Sequence, residues 1–295
     1  MRIGIAGTGK MGSVIATRLS SLGHEVSVWN RTQARAQPLL NAGLHWADTP
    51  KALATGNNVV ISLVTNEQAL DDVYLSHDGL FAANSACVFI EMSTVRPAKQ
   101  EAMGLLAQKA SAAYLECPVG GSIGPAKDGK LIGFAGGDAA TLERVRPVLQ
   151  QLCKRIEHVG VHGAGSVMKL AINLPLMVYW QTLSEALSLI EPLGLDPNRV
   201  VDIFSDSSGG PNMLKVRGPL IAQALAGDKS GMVTVSLATM RKDMRSMLDE
   251  GRARQRQLPL TEQTLKSLDA AAAQGLDDAD CAQFPAWWLA QRPLP

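Results

Sequence analysis

Near its start the chain reads Arg2-Ile-Gly-Ile-Ala-Gly-Thr-Gly-Lys-Met-Gly12, the stretch that decides its fold class. The apolar run Arg2–Ala6 is typical of a buried strand, and apolar residues at helical spacing follow the glycines, so the pattern predicts strand, tight turn and helix. In that context Gly7, Gly9 and Gly12 match the G-x-G-x-x-G fingerprint of a dinucleotide-binding turn. Glycines let the backbone approach a pyrophosphate, whose charge the helix N-terminus stabilises. A glycine-rich turn without a ligand is the alternative, which the flanking strand and helix disfavour.

The residues after the second predicted strand, Glu25–Trp29, bear on which dinucleotide would bind. An NAD-binding fold places an acidic residue here to accept hydrogen bonds from the ribose hydroxyls. The chain has Asn30, Arg31 and Thr32 instead, with Arg35 one helical turn later. A guanidinium and neutral donors suit the 2′-phosphate of NADP, so the sequence predicts NADP(H) in preference to NAD(H). An ordinary exposed arginine is the alternative.

Alternating segments extend this pattern. Apolar runs at 58–64, 87–91, 113–118, 131–136 and 155–159 read as strands, and helices are predicted from about 66, from 97 and over 138–150. Strands alternating with helices predict a Rossmann-type, doubly wound parallel sheet. Because open sheets bind ligands at the carboxyl edge, Thr65, Ser93 and Thr94 are expected along the cofactor. Ser93 and Thr94 could equally cap helices.

A second glycine-rich turn, Val119-Gly-Gly-Ser-Ile-Gly-Pro125, follows the strand predicted at 113–118. Its glycines are numerous enough to expose backbone N–H groups, and such groups attract anions. The turn is therefore a candidate anion site.

A long helix is predicted to open within Gly163-Ala-Gly-Ser-Val-Met-Lys169-Leu-Ala-Ile-Asn173 and to join two differently built halves. Lys169 and Asn173 are four residues apart, so a helix projects them from one face towards the same small molecule. A lysine beside an amide suggests proton transfer with an orienting hydrogen bond, and a solvated helix face is the alternative. For His158 and His162, loop or core roles are favoured over catalysis.

The second half of the sequence contains no convincing strand. Apolar residues from Leu176 to Ile190 recur at helical spacing, which indicates a core-facing stripe. Helices are predicted at about 196–206, 212–226, 234–252, 260–274 and 279–291. Met240, Met244 and Met247, at helical spacing, favour core or dimer packing over a cofactor site.

Length and composition bound the fold and exclude several functions. A chain of 295 residues is long enough for two domains, and 46% hydrophobic with 19% charged residues is typical of a folded soluble protein. A net charge of +1 without a basic stripe disfavours nucleic acid or membrane partners. Four widely spaced cysteines predict free thiols and no zinc site, and without a signal or spanning segment the expected compartment is a reducing cytoplasm.

Six blocks in chain order carry a family resemblance: Gly7–Gly12, Met92-Ser-Thr94, Glu116-Cys-Pro-Val-Gly-Gly-Ser122, Gly163–Lys169 with Asn173, Lys242-Asp243 and Gly275-Leu-Asp-Asp-Ala-Asp280. With them the chain resembles the β-hydroxyacid dehydrogenases over nearly its whole length. Within that family it is most similar to the NADPH-dependent glyoxylate and succinic semialdehyde reductases. That second likeness rests on Trp29-Asn-Arg-Thr32, Pro125-Ala-Lys-Asp-Gly129 and Lys242-Asp-Met-Arg245.

The resemblance implies an architecture and a set of roles. It implies an NADP-binding Rossmann-type domain over 1–162, a connecting helix over 163–192 that carries Lys169, and a helical substrate and dimerisation domain over 193–295. Lys169 and Asn173 would be catalytic. The implied cofactor-binding residues are Gly7, Thr8, Gly9, Lys10, Met11, Gly12, Asn30, Arg31, Thr32, Leu63, Val64, Thr65, Thr94 and Lys242. The implied substrate-binding residues are Ser93, Gly120, Gly121 and Ser122. The implied partners are a small carboxylate substrate and further copies of the chain, as a homodimer or dimer-based tetramer.

Two residues depart from the family pattern. Relatives usually carry serine before the glycine of the substrate turn, whereas Gly120 stands here and removes a hydroxyl. Pro175 lies two residues beyond Asn173, where helix is expected to continue. Because proline lacks an N–H and crowds the carbonyl four residues back, we predict a kink at this point.

The sequence thus predicts hydride transfer between NADP(H) and a small carboxylate-bearing aldehyde or keto acid, or the matching hydroxy acid. Two other functions are considered. One is a non-catalytic NADP-binding scaffold, which the presence of Lys169 disfavours. The other is imine reduction, typical of a sister family that places Asp or Tyr where Lys169 stands.

Overall fold

The computed structural model describes residues 1–83 and 86–291. The chain divides into two compact units, Met1–Leu170 and Ala171–Pro295. The first unit is an α/β structure and the second is built from helices.

The first unit is organised around one sheet, which has nine strands in the part of the chain that is described. The strands are β1 (Arg2–Ala6), β2 (Glu25–Trp29), β3 (His45–Trp46), β4 (Val59–Ser62), β5 (Val88–Glu91), β6 (Ala113–Glu116), β7 (Val119–Gly120), β8 (Leu131–Gly137) and β9 (Cys153–Gly160). Its helices are α1 (Lys10–Ser21), α2 (Gln37–Asn41), α3 (Pro50–Gly56), α4 (Glu67–Leu75), α5 (Pro97–Lys109), α6 (Ile123–Asp128) and α7 (Ala139–Leu152).

The strand order β3-β2-β1-β4-β5-β6-β8-β7 places β1 between β2 and β4, with β9 paired to β8. Strands β1 to β6 run parallel, whereas β8 is antiparallel to β6 and β7. The order therefore reverses direction at β1, and the carboxyl ends of β1 and β4 flank the crevice where doubly wound sheets bind ligands. This confirms the predicted fold class.

The central strands β1, β4 and β5 are buried on both faces of the sheet because they are mostly apolar. Successive side chains point to opposite faces, so Ile3 and Ile5 pack with the helices on one side. Val60, Phe89 and Tyr74 form the core on the other side. The continuous apolar runs in the sequence follow from this two-sided burial.

The strand predictions at Arg2–Ala6 and Glu25–Trp29 are confirmed to the residue, and the helix predicted at 138–150 is α7. The glycine-rich turn predicted over 119–125 contains β7 and the first residues of α6, so the prediction of a turn over the whole segment was wrong. Elements β3, α2 and α3 were missed, since they have two, five and seven residues and too few apolar positions for a periodic pattern. A local signal did mark α3, whose Thr49 hydroxyl accepts a hydrogen bond from the Ala52 N–H at 3.0 Å.

The predicted long helix is α8 (Ala164–Ile190), which begins in the first unit and ends in the second. Pro175 lies inside it, and the helix runs through that position without a break, so the kink stays a prediction. Trp180, Leu183 and Leu187 are each 3% exposed, which confirms the core-facing stripe at these positions, whereas Leu176 and Ile190 are only partly buried.

The second unit continues with α9 (Pro197–Asp206), α10 (Asn212–Leu225), α11 (Leu237–Ala253), α12 (Pro259–Ala271) and α13 (Gln283–Leu289). The prediction of a helical second half is confirmed, with α11 starting later than expected because Ser236 caps it by accepting the Thr239 N–H. The methionines on α11 are buried. Within residues 1–83 and 86–291 no helix combines the length and apolar character that crossing a membrane requires.

Asp280 connects the chain segments that flank α10, α11 and α13. Its carboxylate accepts hydrogen bonds from the backbone N–H groups of Thr234, Val235 and Ala282 at 2.6, 3.2 and 3.0 Å. It also forms an ion pair with Arg217 at 3.3 Å, and both side chains are nearly fully buried. Asp280 is the last residue of the sixth family block, and these contacts explain why an aspartate stands there. The ion pair also shows that the Arg217 guanidinium is committed to the fold.

Replacing Asp280 with alanine is expected to lower the free energy of unfolding by about 3–5 kcal/mol, because it leaves the buried Arg217 guanidinium without its partner. Urea unfolding followed by tryptophan fluorescence measures this change. The control is Asp206→Ala, which breaks the exposed ion pair with Lys215 and is expected to cost less than about 1 kcal/mol. Equal unfolding midpoints for the two variants would contradict the assigned role.

Candidate active site

The three glycines of the first turn differ in what surrounds them. Gly7 has φ +100°, and a Cβ there would lie 2.1 Å from the Leu63 carbonyl oxygen. A Cβ on Gly12 would lie 1.9 Å from the Gly7 carbonyl oxygen, so this glycine lets α1 pack against β1. A Cβ on Gly9 would have no protein atom within 4 Å. Gly7 and Gly12 are therefore needed by the fold, whereas Gly9 borders open space.

The space beside Gly9 has the chemistry of a phosphate site. Helix α1 begins at Lys10 with Gly9 at its N-cap, and no side chain caps its first N–H groups. No acidic residue lies in its first turn, so the positive end of the helix dipole is uncompensated. Among the described residues the buried Thr8 hydroxyl has no hydrogen-bond partner. The residues present thus fit the pyrophosphate of a dinucleotide.

Asn30 links the glycine turn to the end of β2. Its Oδ1 accepts the Thr8 N–H at 3.1 Å, and its Nδ2 donates to the Thr32 carbonyl at 2.9 Å. Asn30 is thereby fixed in the scaffold. Arg31 and Arg35 are exposed, and within residues 1–83 and 86–291 neither forms an ion pair with a carboxylate. These two guanidinium groups follow β2, whose end is hydrogen-bonded to the glycine turn through Asn30.

A chain of hydrogen bonds that includes a buried carboxyl group as acceptor joins the loops after β4 and β5. Glu91 accepts the Ser93 N–H at 2.6 Å and a hydrogen bond from the Ser62 hydroxyl. The Ser93 hydroxyl in turn accepts the Val64 N–H at 2.7 Å. Burial raises the pKa of Glu91 to about 7, against the opposing effect of the Ser62 and Ser93 hydrogen bonds. Sequence reasoning missed Glu91, although an acid that ends an apolar strand was a usable signal.

The alternative role of Ser93 as a cap of the next helix is wrong, whereas that of Thr94 stays a prediction. Helix α5 begins at Pro97 with Arg96 at its N-cap, and the N-cap side chain makes no capping hydrogen bond. The hydroxyl of Ser93 instead joins two ligand-facing loops. Leu63, Val64, Thr65 and Thr94 all lie in the loops that follow β4 and β5.

The second glycine-rich segment runs from β7 into α6, with Ser122 at the N-cap. Gly121 has φ +121°, and a Cβ there would lie 2.8 Å from Leu131 Cδ2, so only glycine fits without strain. A Cβ on Gly120 would make ordinary contact with the Phe134 ring at 3.5 Å. The backbone at Gly120 thus has room for a side chain. No steric clash therefore requires glycine in place of serine at this position.

The first turn of α8 is held by Glu116, the last residue of β6. The carboxylate accepts the N–H groups of Gly165 and Ser166 at 2.9 and 3.3 Å and the Ser166 hydroxyl at 2.9 Å. Burial raises the pKa of Glu116, and hydrogen bonds from Ser166 and Gly165 oppose that change. Lys169 lies one turn further along α8 and is 8% exposed, so the alternative of a solvated helix face is wrong.

In the second unit Asp243 brings two candidate residues together. Lys242 Nζ lies 2.7 Å from Asp243 Oδ1, and Asn173 Nδ2 makes a long hydrogen bond of 3.5 Å to Asp243 Oδ2. Asn173 and Asp243 are 7% and 4% exposed. Asp243 therefore orients an amide and an ammonium group from two helices. Sequence reasoning quoted the Lys242-Asp243 pair without assigning Asp243 a role.

His158 and His162 contact backbone carbonyls, and the cysteines are buried thiols. Nε2 of His158 lies 2.9 Å from the Gly137 carbonyl and Nε2 of His162 lies 3.1 Å from the Tyr114 carbonyl, which agrees with structural roles. All four cysteines are free and buried, and burial raises the pKa of two of them, Cys87 and Cys153, to about 12. Within the described part of the chain no cluster of His, Cys, Asp and Glu could hold a metal.

Comparison with known families accounts for this combination of a glycine turn and a buried lysine. Residues 2–160 match the NAD binding domain of 6-phosphogluconate dehydrogenase, and residues 163–287 match the NAD-binding region of NADP-dependent 3-hydroxyisobutyrate dehydrogenase. The chain belongs to the β-hydroxyacid dehydrogenase family. The resemblance inferred from the sequence is thus confirmed.

Individual relatives of this dehydrogenase span nearly the whole chain. It is 28% identical to glyoxylate/succinic semialdehyde reductase 2 of Arabidopsis thaliana over 94% of this chain and 76% of the relative. It is 33% identical to 3-hydroxyisobutyrate dehydrogenase of Pseudomonas aeruginosa over 88% of each chain. A solved structure of Psf3 in complex with NADP+ and 2-OPP is similar with a TM-score of 0.85 and 25% identity, covering 97% of this chain and 99% of the other. The protein is an oxidoreductase with a nicotinamide dinucleotide as cofactor.

Replacing Gly9 with alanine is expected to weaken NADPH binding by about tenfold or more and to lower the unfolding midpoint only slightly, because alanine is a poorer N-cap than glycine. The new methyl group would project into the open space beside the helix N-terminus, where the pyrophosphate is expected. Fluorescence titration with NADPH and thermal unfolding measure the two quantities. The matched control is Gly12→Ala, which is expected to lower the unfolding midpoint because its methyl group collides with the Gly7 carbonyl. A Gly9→Ala protein that binds NADPH normally would contradict this prediction.

Proposed function

We propose that this dehydrogenase transfers hydride between NADP(H) and a small carboxylate-bearing aldehyde or keto acid, or the matching hydroxy acid. The observation that carries the proposal is a buried lysine, Lys169, on a helix whose first turn is fixed to the carboxyl edge of a dinucleotide-binding sheet. Similarity to the semialdehyde reductase and to the hydroxyisobutyrate dehydrogenase supports the substrate class. A glyoxylate or succinic semialdehyde reductase-like activity and a 3-hydroxyisobutyrate dehydrogenase-like activity are the two forms proposed.

The preference for NADP(H) is supported by the charge at the end of β2. An acidic residue at this point would repel a 2′-phosphate, and the chain instead presents the exposed guanidinium groups of Arg31 and Arg35. Because Asn30 is tied to Thr8 and Thr32, we assign the phosphate contact to Arg31, with Arg35 as a helper. The NADP+ bound to the similar Psf3 structure supports NADP(H) as the cofactor.

In the proposed mechanism, bound NADPH supplies the hydride and the protein supplies the proton and the orientation. The ammonium of Lys169 donates a proton to the oxygen of the developing alkoxide. Asn173 hydrogen-bonds the same oxygen, and Asp243 orients its amide. The segment Gly120–Ser122 holds the substrate carboxylate through backbone N–H groups, which places the carbonyl for attack. In the oxidation direction neutral Lys169 accepts the proton.

The remaining assignments stay predictions. Ser93 is assigned to the substrate, and Lys242 to the nicotinamide end of the cofactor. The domain roles over 1–162, 163–192 and 193–295, the homodimer or dimer-based tetramer, and the cytoplasmic location also stay predictions.

Replacing Lys169 with alanine is expected to lower kcat by about 100-fold or more, because the general acid is lost, while NADPH affinity stays within a factor of about three. Steady-state turnover of short semialdehydes and keto acids with NADPH measures kcat, and fluorescence titration measures affinity. The control, Lys109→Ala, removes an exposed lysine at the end of α5 and is expected to change neither value. Tight NADPH binding by the wild-type protein without turnover of any carbonyl compound would instead favour a non-catalytic scaffold, and turnover of cyclic imines alone would favour an imine reductase.

Replacing Arg31 with alanine is expected to raise the KM for NADPH by about tenfold or more, because a charge-assisted hydrogen bond to the 2′-phosphate contributes roughly 1.5–3 kcal/mol. Initial rates at varied cofactor concentration measure this change. NADH, which lacks that phosphate, is the internal control, and its KM is expected to stay unchanged. A parallel rise in both KM values would contradict the assignment of Arg31.

A further inference from the structure

The hydrogen bonds that Glu116 accepts come from groups that an isolated helix leaves unsatisfied. The N–H groups of Gly165 and Ser166 belong to the first turn of α8, where N–H groups have no carbonyl partner within the helix. A carboxylate at that end also interacts favourably with the helix dipole. The cap is therefore supplied by the sheet and not by the helix itself, which ties the start of α8 to the last residue of β6.

This contact has almost no room for adjustment. A Cβ on Gly136, in the neighbouring strand β8, would lie 2.2 Å from Glu116 Oε1. A Cβ on Gly165 would lie 2.4 Å from the Phe134 carbonyl oxygen and 3.1 Å from Glu116 Cδ. The helix and the sheet thus approach each other through two glycines, with the Glu116 carboxylate between them. Such packing fixes the position of α8 along its axis and its rotation about that axis.

The fixed face of the helix is the one that carries the lysine. Gly165 and Lys169 are four residues apart, and Ser166 and Lys169 are three apart, so all three residues lie on neighbouring rows of α8. On the strand side, Glu116 is followed after Cys117 and Pro118 by β7 and the glycine-rich segment. One side chain therefore connects the segment assigned to the substrate carboxylate with the helix turn assigned to proton transfer.

We propose that Glu116 is a positioning residue for Lys169, whose buried carboxylate sets where the ammonium group lies relative to the glycine-rich segment at Gly120–Ser122. The inference rests on the proposed function in that it takes Lys169 as the proton donor. Glu116 touches neither substrate nor cofactor in this assignment. Its effect on the reaction passes through the first turn of α8.

The first test is the variant Glu116→Gln, which keeps the shape of the side chain and removes its charge. It is expected to lower kcat by about tenfold or more, since a misplaced general acid loses most of its contribution, while the KM for NADPH changes by less than about threefold. The control, Glu143→Gln, alters an exposed carboxylate on α7 that pairs with Arg146 and is expected to leave kcat unchanged. A folded Glu116→Gln enzyme with wild-type kcat, or with kcat and the KM for NADPH changed together, would overturn the proposal.

The second test does not depend on turnover. Hydrogen exchange of the amides in 163–170 is expected to be about tenfold faster in Glu116→Gln than in the wild-type protein, because the bonds from Gly165 and Ser166 are weakened. If Glu116→Gln does not fold, Ser166→Ala removes only the hydroxyl bond and is expected to change exchange and kcat in the same direction by smaller factors. If exchange is unchanged in whichever of these two variants folds, the proposal that Glu116 fixes the first turn of α8 is overturned. That conclusion holds even if the wild-type protein reduces none of the carbonyl compounds. Faster exchange in the variant together with an inactive wild-type protein would contradict the proposed function. It would still support the proposal that Glu116 fixes the first turn of α8.

Discussion

Two buried carboxyl groups hold the ligand-facing edge of the sheet together. Glu91 and Glu116 end adjacent parallel strands and are paired in register, and Ser62 continues the same row on β4. Placing acids in a protein interior costs free energy unless donors satisfy them, and here the donors are N–H groups of the loops and helix that leave the sheet. The free-energy cost of burying the two carboxyl groups is therefore offset only when those loops and that helix are correctly placed.

This arrangement divides the edge between two tasks. Glu91, through Ser93 and Val64, joins the loops that are assigned to the cofactor. Glu116 holds the helix that carries Lys169 and precedes the segment assigned to the substrate. Under these assignments, neighbouring acids organise the cofactor side and the substrate side of the proposed reaction, and the strand pairing keeps the two acids in register. The glycine turn after β1 needs no such acid, because the uncharged Asn30 side chain and backbone contacts set its geometry.

Most of the architecture could be predicted from the sequence because its signals are local. The strand, turn and helix at 2–21 follow from alternation and glycine spacing, and Gly and Pro punctuation separates the later helices. The short elements β3, α2, α3, β7 and α6 carry too few residues for a periodic signal. The links made by Asn30, Glu91, Glu116 and Asp243 could not be predicted, because each joins residues 22 to 70 positions apart that only the folded chain brings together. Burial of Lys169 is likewise a tertiary property.

The position of Asn30 has a consequence for how such a protein can diversify. Asn30 holds the glycine turn through Thr8, while its neighbour Arg31 projects outward without an ion-pair partner in the described chain. Under the proposed assignment, binding of the pyrophosphate and selection of the 2′-phosphate therefore depend on two adjacent side chains, of which only Asn30 is hydrogen-bonded to the glycine turn. A substitution at exposed Arg31 alone could therefore change the preferred cofactor between NADP(H) and NAD(H). The contacts that bind the rest of the dinucleotide would stay intact.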